Sequence, residues 1–138
     1  MDNTKRDGSI TELQVMAELL KFGEVSIPYG NNARYDCVLE IDGIFKKIQI
    51  KTAHKIDENR FSVPFVNKRS NRSGNVRKVY TIDEVDYIAT YYCNQLYLFP
   101  TGNHVNKMTV SFSYPDNGLK QKINLAEEYK AENILSSL

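Results

Sequence analysis

Two runs in which apolar and polar residues alternate, 34–41 and 44–52, flank the pair Asp42-Gly43. Alternation with period 2 marks a half-buried strand, and Asp-Gly suits a two-residue turn whose central residues both need positive φ. The stretch 34–52 therefore reads as one antiparallel hairpin. With Ile41 facing Ile44, every cross-strand pair keeps the same sum, so Asp36 is expected directly opposite Gln49. Directly opposed residues share a face, which puts Asp36, Gln49 and Lys51 on one side of the sheet. Tyr35, Cys37, Leu39, Ile41, Ile44, Ile48 and Ile50 take the other side, expected to be buried.

The rest of the pattern supplies the other elements. Residues 10–22 are good helix formers closed by Gly23, with Ser9 and Glu12 spaced as a capping box, and residues 1–8 are polar and expected to fray. At 100° per residue, Ile10, Leu13, Met16, Ala17, Leu19 and Leu20 fill the half of this helix expected to pack on the sheet. Glu12 falls within that apolar half. It either closes the capping box or turns inward as a further carboxylate at a site.

Residues 25–29 suit a first strand, 30–33 a turn-rich loop, and 61–66 a strand that Pro64 confines to an edge or bulge. A second hairpin is expected from residues 80–92 and 96–100, turning near Asn94-Gln95, with a helical turn around Asp83. Residues 107–114 form a short strand, 115–118 a turn, and 125–138 a closing helix capped by Asn124, with Glu127 and Glu128 placed for its dipole. The tyrosines read as sheet packing rather than as a base-stacking platform, and Asp86 as a structural residue at a strand start.

Composition narrows the class. The chain has 138 residues, 41% hydrophobic and 25% charged, the proportions of one globular domain. No apolar run approaches the roughly 18–20 residues of a membrane span, and the first residues carry no apolar secretory region; a cytoplasmic protein with no membrane partner is expected. Cys37 and Cys93 both fall in predicted strands without a CxxC or Cys/His cluster, so they read as small buried residues, and a zinc site is not indicated.

A net charge of +1 leaves any nucleic-acid affinity to charge distribution. In residues 67–78, Lys68, Arg69, Arg72, Arg77 and Lys78 stand among Asn and Ser with no acidic residue. The segment reads as a loop, either merely solvated or contacting DNA; amides, hydroxyls and cations together favour DNA contact.

An acid, an amide and an ammonium brought together on one hairpin face suit one divalent cation and one phosphate. The constellation Asp36, Gln49 and Lys51 resembles the PD-(D/E)xK nuclease superfamily, with Gln49 where most members carry Asp or Glu. The flanks Pro28, Gly30, Asn31, Arg34 and Tyr35, the run Gln49-Ile50-Lys51-Thr52-Ala53, and residues 85–88 make it similar to small homing endonucleases associated with group I introns. Archaeal Holliday-junction resolvases are a more distant likeness. The resemblance implies an α/β (α+β) restriction-endonuclease-like core, a mixed central β-sheet flanked by helices in a single domain, with a core over about residues 8–100 and a C-terminal strand and helix over 101–138.

The activity implied is hydrolysis of double-stranded DNA with Mg²⁺ or Mn²⁺. Asp36, Gln49 and Glu12 would be the metal ligands and Lys51 the remaining catalytic residue. Asn31 and Arg34 match positions that border the site in these enzymes, Arg34 suiting bidentate phosphate contact. Cutting both strands with one site per chain implies a homo-oligomer, dimer or tetramer. His54 stands near the catalytic edge as a proton shuttle or, more simply, an exposed loop residue. Gln49 also leaves open a non-catalytic DNA-binding module, and the superfamily leaves open a resolvase or a restriction-type enzyme.

Overall fold

The computed structural model of the chain describes residues 3–30, 32–71, 74–102, 105–115 and 123–138; at residues 3, 67–71 and 74–79 it describes the backbone alone. In chain order the elements are α1 (Asn3–Leu19), β1 (Glu24–Ser26), β2 (Cys37–Ile41), β3 (Ile44–Ile50), β4 (His54–Lys55), β5 (Arg60–Pro64), β6 (Val66–Asn71), β7 (Gly74–Val79), β8 (Tyr87–Tyr92), β9 (Gln95–Pro100), β10 (Lys107–Ser111), β11 (Asn124–Leu125), a 3-10 turn (Ala126–Tyr129) and α2 (Ala131–Leu135).

The Asp-Gly turn forms as its dipeptide dictates: φ is +50° at Asp42 and +82° at Gly43, and the β2/β3 ladder runs from Ile41↔Ile44 to Cys37↔Ile48. The expected register thus holds to the end of the ladder and stops one residue short of Asp36. The Asp36 amide donates to Ile48 O at 2.8 Å, the residue Cys37 already faces, so Asp36 is not the ladder partner of Gln49. This irregularity ends the alternation. Tyr35 accordingly packs not with Cys37 but with the opposite core.

β3 continues into a five-stranded mixed sheet ordered β1-β2-β3-β8-β9, in which only β3 and β8 run parallel. Asp86 is structural, as expected: its carboxylate accepts from the Lys47 amide at 2.8 Å, and its own amide donates to Lys47 O at 2.8 Å, fastening the start of β8 to β3.

Two cores lie on the two faces of this sheet. On one, Cys37, Leu39, Ile48, Ile50, Ala89, Leu96 and Leu98 meet Val15 and Leu19 of α1 and Ala131 and Leu135 of α2. On the other, Ile88, Tyr97 and Phe99 meet Phe61, Val63, Met108 and Val110 of a second sheet, ordered β11-β10-β5-β4. The expected mixed sheet thus carries its helices on one face and a second sheet on the other. Its aromatic residues pack closely, with the Phe61 and Tyr92 rings 4.5 Å apart. No helix among the described residues is long and apolar enough to cross a membrane.

Several local expectations change. α1 begins at Asn3, well before Ser9, whose hydroxyl donates to Lys5 O at 3.1 Å inside the helix instead of capping it. The capping-box role of Glu12 goes with it. The face of α1 turned inward is Thr11, Val15 and Leu19, while Ile10, Leu13, Ala17 and Leu20 are exposed. Sheet docking, not apolar content, selects the stripe. Residues 67–78 are not a loop: β6 and β7 pair as a hairpin from Val66↔Val79 to Asn71↔Gly74.

The second hairpin turns at Cys93 and Asn94, both at positive φ, so Cys93 is exposed rather than buried in a strand. The closing helix breaks into β11, the 3-10 turn and α2, because Asn124 joins a strand beside Val110 and spends its amide on Thr109 O at 3.1 Å. The expected turn beyond Pro115 lies outside the described residues.

Candidate active site

The end of β3 gathers the charged side chains. Asp36, just ahead of β2, accepts a 2.8 Å hydrogen bond from the Ile50 amide through Oδ2. That bond spans the irregularity described above and holds the carboxylate at the mouth of the hairpin. Lys51 continues β3, donating its amide to Ala89 O at 2.9 Å, and its ammonium sits 5.2 Å from the centre of the Tyr80 ring. Gln49 pairs with Ile88 and is half-buried; its position two residues before Lys51 puts both on the face opposite Ile48 and Ile50.

α1 is tied to this strand end. The Thr52 hydroxyl donates to Thr11 Oγ1 at 3.3 Å, which brings the next residue, Glu12, to the site. Glu12, Asp36, Ile27, Pro28, Gly30, Ala33 and Tyr35 line an open cavity of about 280 Å³.

The electrostatics bind the same residues together. Burial raises the Asp36 carboxyl above its ordinary range, while the Ile50 amide and Lys51 pull it back. Glu12 is raised as well, by burial and then by the Asp36 charge. Lys51 is lowered by burial, with Asp36 opposing and Arg34 adding to the shift. Burial is thus the main cost to both carboxylates, and one that a bound cation would offset. Cys37, on the core face, registers both: its thiol is pushed up to about 12 by burial first, then by Asp36 and Glu12. In native protein at mildly alkaline pH a thiol reagent is expected to titrate Cys93 alone, and both cysteines after denaturation. Rapid native reaction of two thiols would contradict the closed core beneath the site.

Arg34 adds a second cation. Its Nη1 donates to Glu84 Oε2 at 2.8 Å, its guanidinium lies 4.2 Å from the Tyr80 ring centre, and its buried Nε and Nη2 find no hydrogen-bond partner among the described residues. Glu84 is itself held by the Thr81 hydroxyl at 3.0 Å. Removing Glu84 leaves a largely buried guanidinium without its counter-ion, so Glu84→Ala is expected to lower stability by about 2–3 kcal/mol, read by urea denaturation. No change in midpoint would mean that the pair is as weak as an exposed one.

The structure thus draws Glu12, Asp36 and Lys51 together, with Gln49 on the face of Lys51 and Arg34 beside it. Tyr80 and Glu84 are the residues that sequence reasoning missed. Tyr80 looked like strand packing, and nothing local links it to Arg34 or Lys51. Asn31 and Arg72 lie outside the described residues. Lys68, Arg69, Arg77 and Lys78 belong to the β6/β7 hairpin, of which only the backbone is described. His54 is an exposed residue of the two-residue strand β4. Among the described residues no three His, Cys, Asp or Glu side chains converge. Among those residues a third protein donor beside Glu12 and Asp36 is a neutral one, as Gln49 is.

Comparison with known proteins agrees with the fold. No curated protein matches the chain. Among solved structures, the bacterial homing endonuclease I-Ssp6803I superposes with a TM-score of 0.74 at 24% identity, over 96% of this chain and 92% of that one. Residues 2–132 match the family model for PD-(D/E)XK endonuclease. A family match that spans nearly the whole chain identifies the protein as a member of the PD-(D/E)XK endonuclease family.

Proposed function

We propose that the chain is a divalent-cation-dependent endonuclease that hydrolyses phosphodiester bonds in double-stranded DNA, in the manner of a homing endonuclease. The observation that carries this reading is the Asp36 carboxylate, fixed to the Ile50 amide and lying in the fields of both Glu12 and Lys51.

The donor set fits a hard cation. Glu12 and Asp36 offer carboxylate oxygens and Gln49 an amide oxygen, the ligand type of Mg²⁺ or Mn²⁺, and a nearby positive charge would oppose the upward shift of both carboxyls. Such an ion supplies Lewis acidity toward phosphoryl oxygens and makes a bound water more acidic. Gln49 contributes a donor without charge, so the negative charge of the site rests on Asp36 and Glu12. Lys51 orients the attacking water and neutralises charge that grows on the phosphate in the transition state. Arg34, held by Glu84 and Tyr80, positions the DNA backbone, a role the family likeness also gives to Asn31.

The β6/β7 hairpin suits the major groove, which admits a two-stranded ribbon. Its register puts Lys68 and Arg77 on one face, and Asn67 and Lys78 on the other. With Arg69 and Arg72 it would supply both phosphate and base-edge contacts. Cutting both strands calls for a homo-oligomer, dimer or tetramer, and the exposed stripe Ile10, Leu13, Ala17 and Leu20 offers α1 as an apolar face for it.

Cleavage mapping on a library of linear duplexes with Mg²⁺, alongside branched junctions and nicked duplexes, tests the reading. Double-strand cuts confined to particular duplex sequences are expected. Preference for a four-way junction would replace the homing-type reading by a resolvase, and failure to cut any substrate with Mg²⁺ or Mn²⁺ would overturn it.

A further inference from the structure

We propose that Ile27 and Tyr29 form an apolar wedge that enters the base stack of the DNA beside the phosphate to be cut. This rests on the nuclease reading above and adds a contact to bases, not to backbone.

Ile27 is 67% exposed and Tyr29 107%, so both side chains stand almost wholly in solvent. Single exposed apolar residues are ordinary, but Ile27, Pro28 and Gly30 line a cavity whose other walls include Glu12 and Asp36, and Tyr29 stands between Pro28 and Gly30. The half-buried Pro28 fixes its own φ, and Gly30 adopts φ +114°, a value that side chains with a Cβ rarely take. A residue with a Cβ at position 30 would strain this bend, so the turn that carries the two side chains outward depends on glycine there.

A cation held by Glu12 and Asp36 would draw the phosphate to be cut, and with it the two flanking nucleotides, to this rim. Apolar side chains at such a place unstack a base step and bend the duplex, and an aromatic ring replaces part of the lost stacking. A second copy of the chain is the poorer occupant. Ile27 lines the same cavity as the two carboxylates, so a partner covering it and Tyr29 would close the mouth over the site.

The test uses the full chain and duplexes carrying 2-aminopurine at the steps on either side of the mapped cut, with Ca²⁺ replacing Mg²⁺ to hold the complex uncleaved. Wild type and Tyr29→Phe are expected to raise the 2-aminopurine fluorescence on binding, and Tyr29→Ala and Ile27→Ser to lose most of the rise. In Mg²⁺, Tyr29→Ala should cut the intact duplex about tenfold more slowly or worse, and recover on a duplex already mismatched at that step. Equal fluorescence from Tyr29→Ala, or a slow variant that the mismatch does not rescue, would overturn the wedge. So would a changed sedimentation coefficient with an unchanged fluorescence rise, which would assign the patch to a second copy. Wild type that cuts duplexes without any fluorescence rise removes the wedge alone; wild type that cuts nothing removes the nuclease reading, and the wedge with it.

Discussion

Asp36→Asn is expected to lower cleavage by about a thousandfold or more while making the cation-free protein more stable. The loss follows from the site's charge: a cation's stabilisation of phosphoryl charge amounts to several kcal/mol, and about 1.4 kcal/mol is a factor of ten in rate. Gln49 is neutral, so Glu12 would remain as the one charged donor. The gain in stability follows from the raised carboxyl. The Asp36 pKa lies above its ordinary 3.8 in the folded chain, so the native state holds this proton more tightly than the unfolded state does.

The stability associated with that group is fully present below the ordinary value and is lost as pH rises through the raised one. At neutral pH the native protein therefore carries a penalty for the ionised carboxylate. Asparagine removes the charge and keeps an oxygen for the Ile50 amide. Melting curves should then show a higher Tm for Asp36→Asn without divalent ions, and a rise with Mg²⁺ or Mn²⁺ for wild type alone. Glu12 is shifted the same way, so cation-induced stabilisation of wild type should weaken as pH falls through the raised range of the two carboxyls. Cleavage that survives in Asp36→Asn excludes the proposed centre; a lower Tm in that variant contradicts the burial penalty.

Replacing Lys51 by methionine should separate chemistry from binding. Single-turnover cleavage is expected to fall about 10²–10³-fold, the usual cost of losing one preorganised donor to transition-state charge, with duplex affinity in Ca²⁺ little changed. The ammonium sits among buried groups beside Arg34, which lowers its pKa against the pull of Asp36. A lysine with a lowered pKa opposes folding while it is protonated, and the penalty fades as pH rises through the lowered value. Lys51→Met should therefore also melt higher than wild type near neutrality. A variant that loses duplex binding in proportion to cleavage would make Lys51 an ordinary phosphate contact.

The hairpin and its chemistry were legible because both are local. Asp42-Gly43 requires positive φ at two adjacent residues, few other turns satisfy that between alternating strands, and the register of β2 and β3 follows from the turn. The basic run 67–78 was legible in charge but not in conformation. Its Ser, Asn and Gly content resembles a loop, and the pairing of β6 with β7 overrides that preference. The inward stripe of α1 departs from the apolar half that periodicity predicts, because docking on the sheet turns Thr11, Val15 and Leu19 inward and leaves Leu13 outside.

What the chain order alone determined is the turn, the ladder from Ile41↔Ile44 to Cys37↔Ile48, and the placing of Gln49 and Lys51 on one face, since a two-residue turn fixes the register of the strands it joins; Asp36 lies beyond that ladder, where the Ile50 amide holds it. Only the tertiary structure decided the surroundings of that group: α1 fastened through Thr11 and Thr52 so that Glu12 arrives, Arg34 clamped by Glu84, and Tyr80 set beneath two cations. Those partners lie tens of residues apart in the chain. Their meeting depends on packing two sheets and a helix around two cores, which no short stretch of sequence encodes.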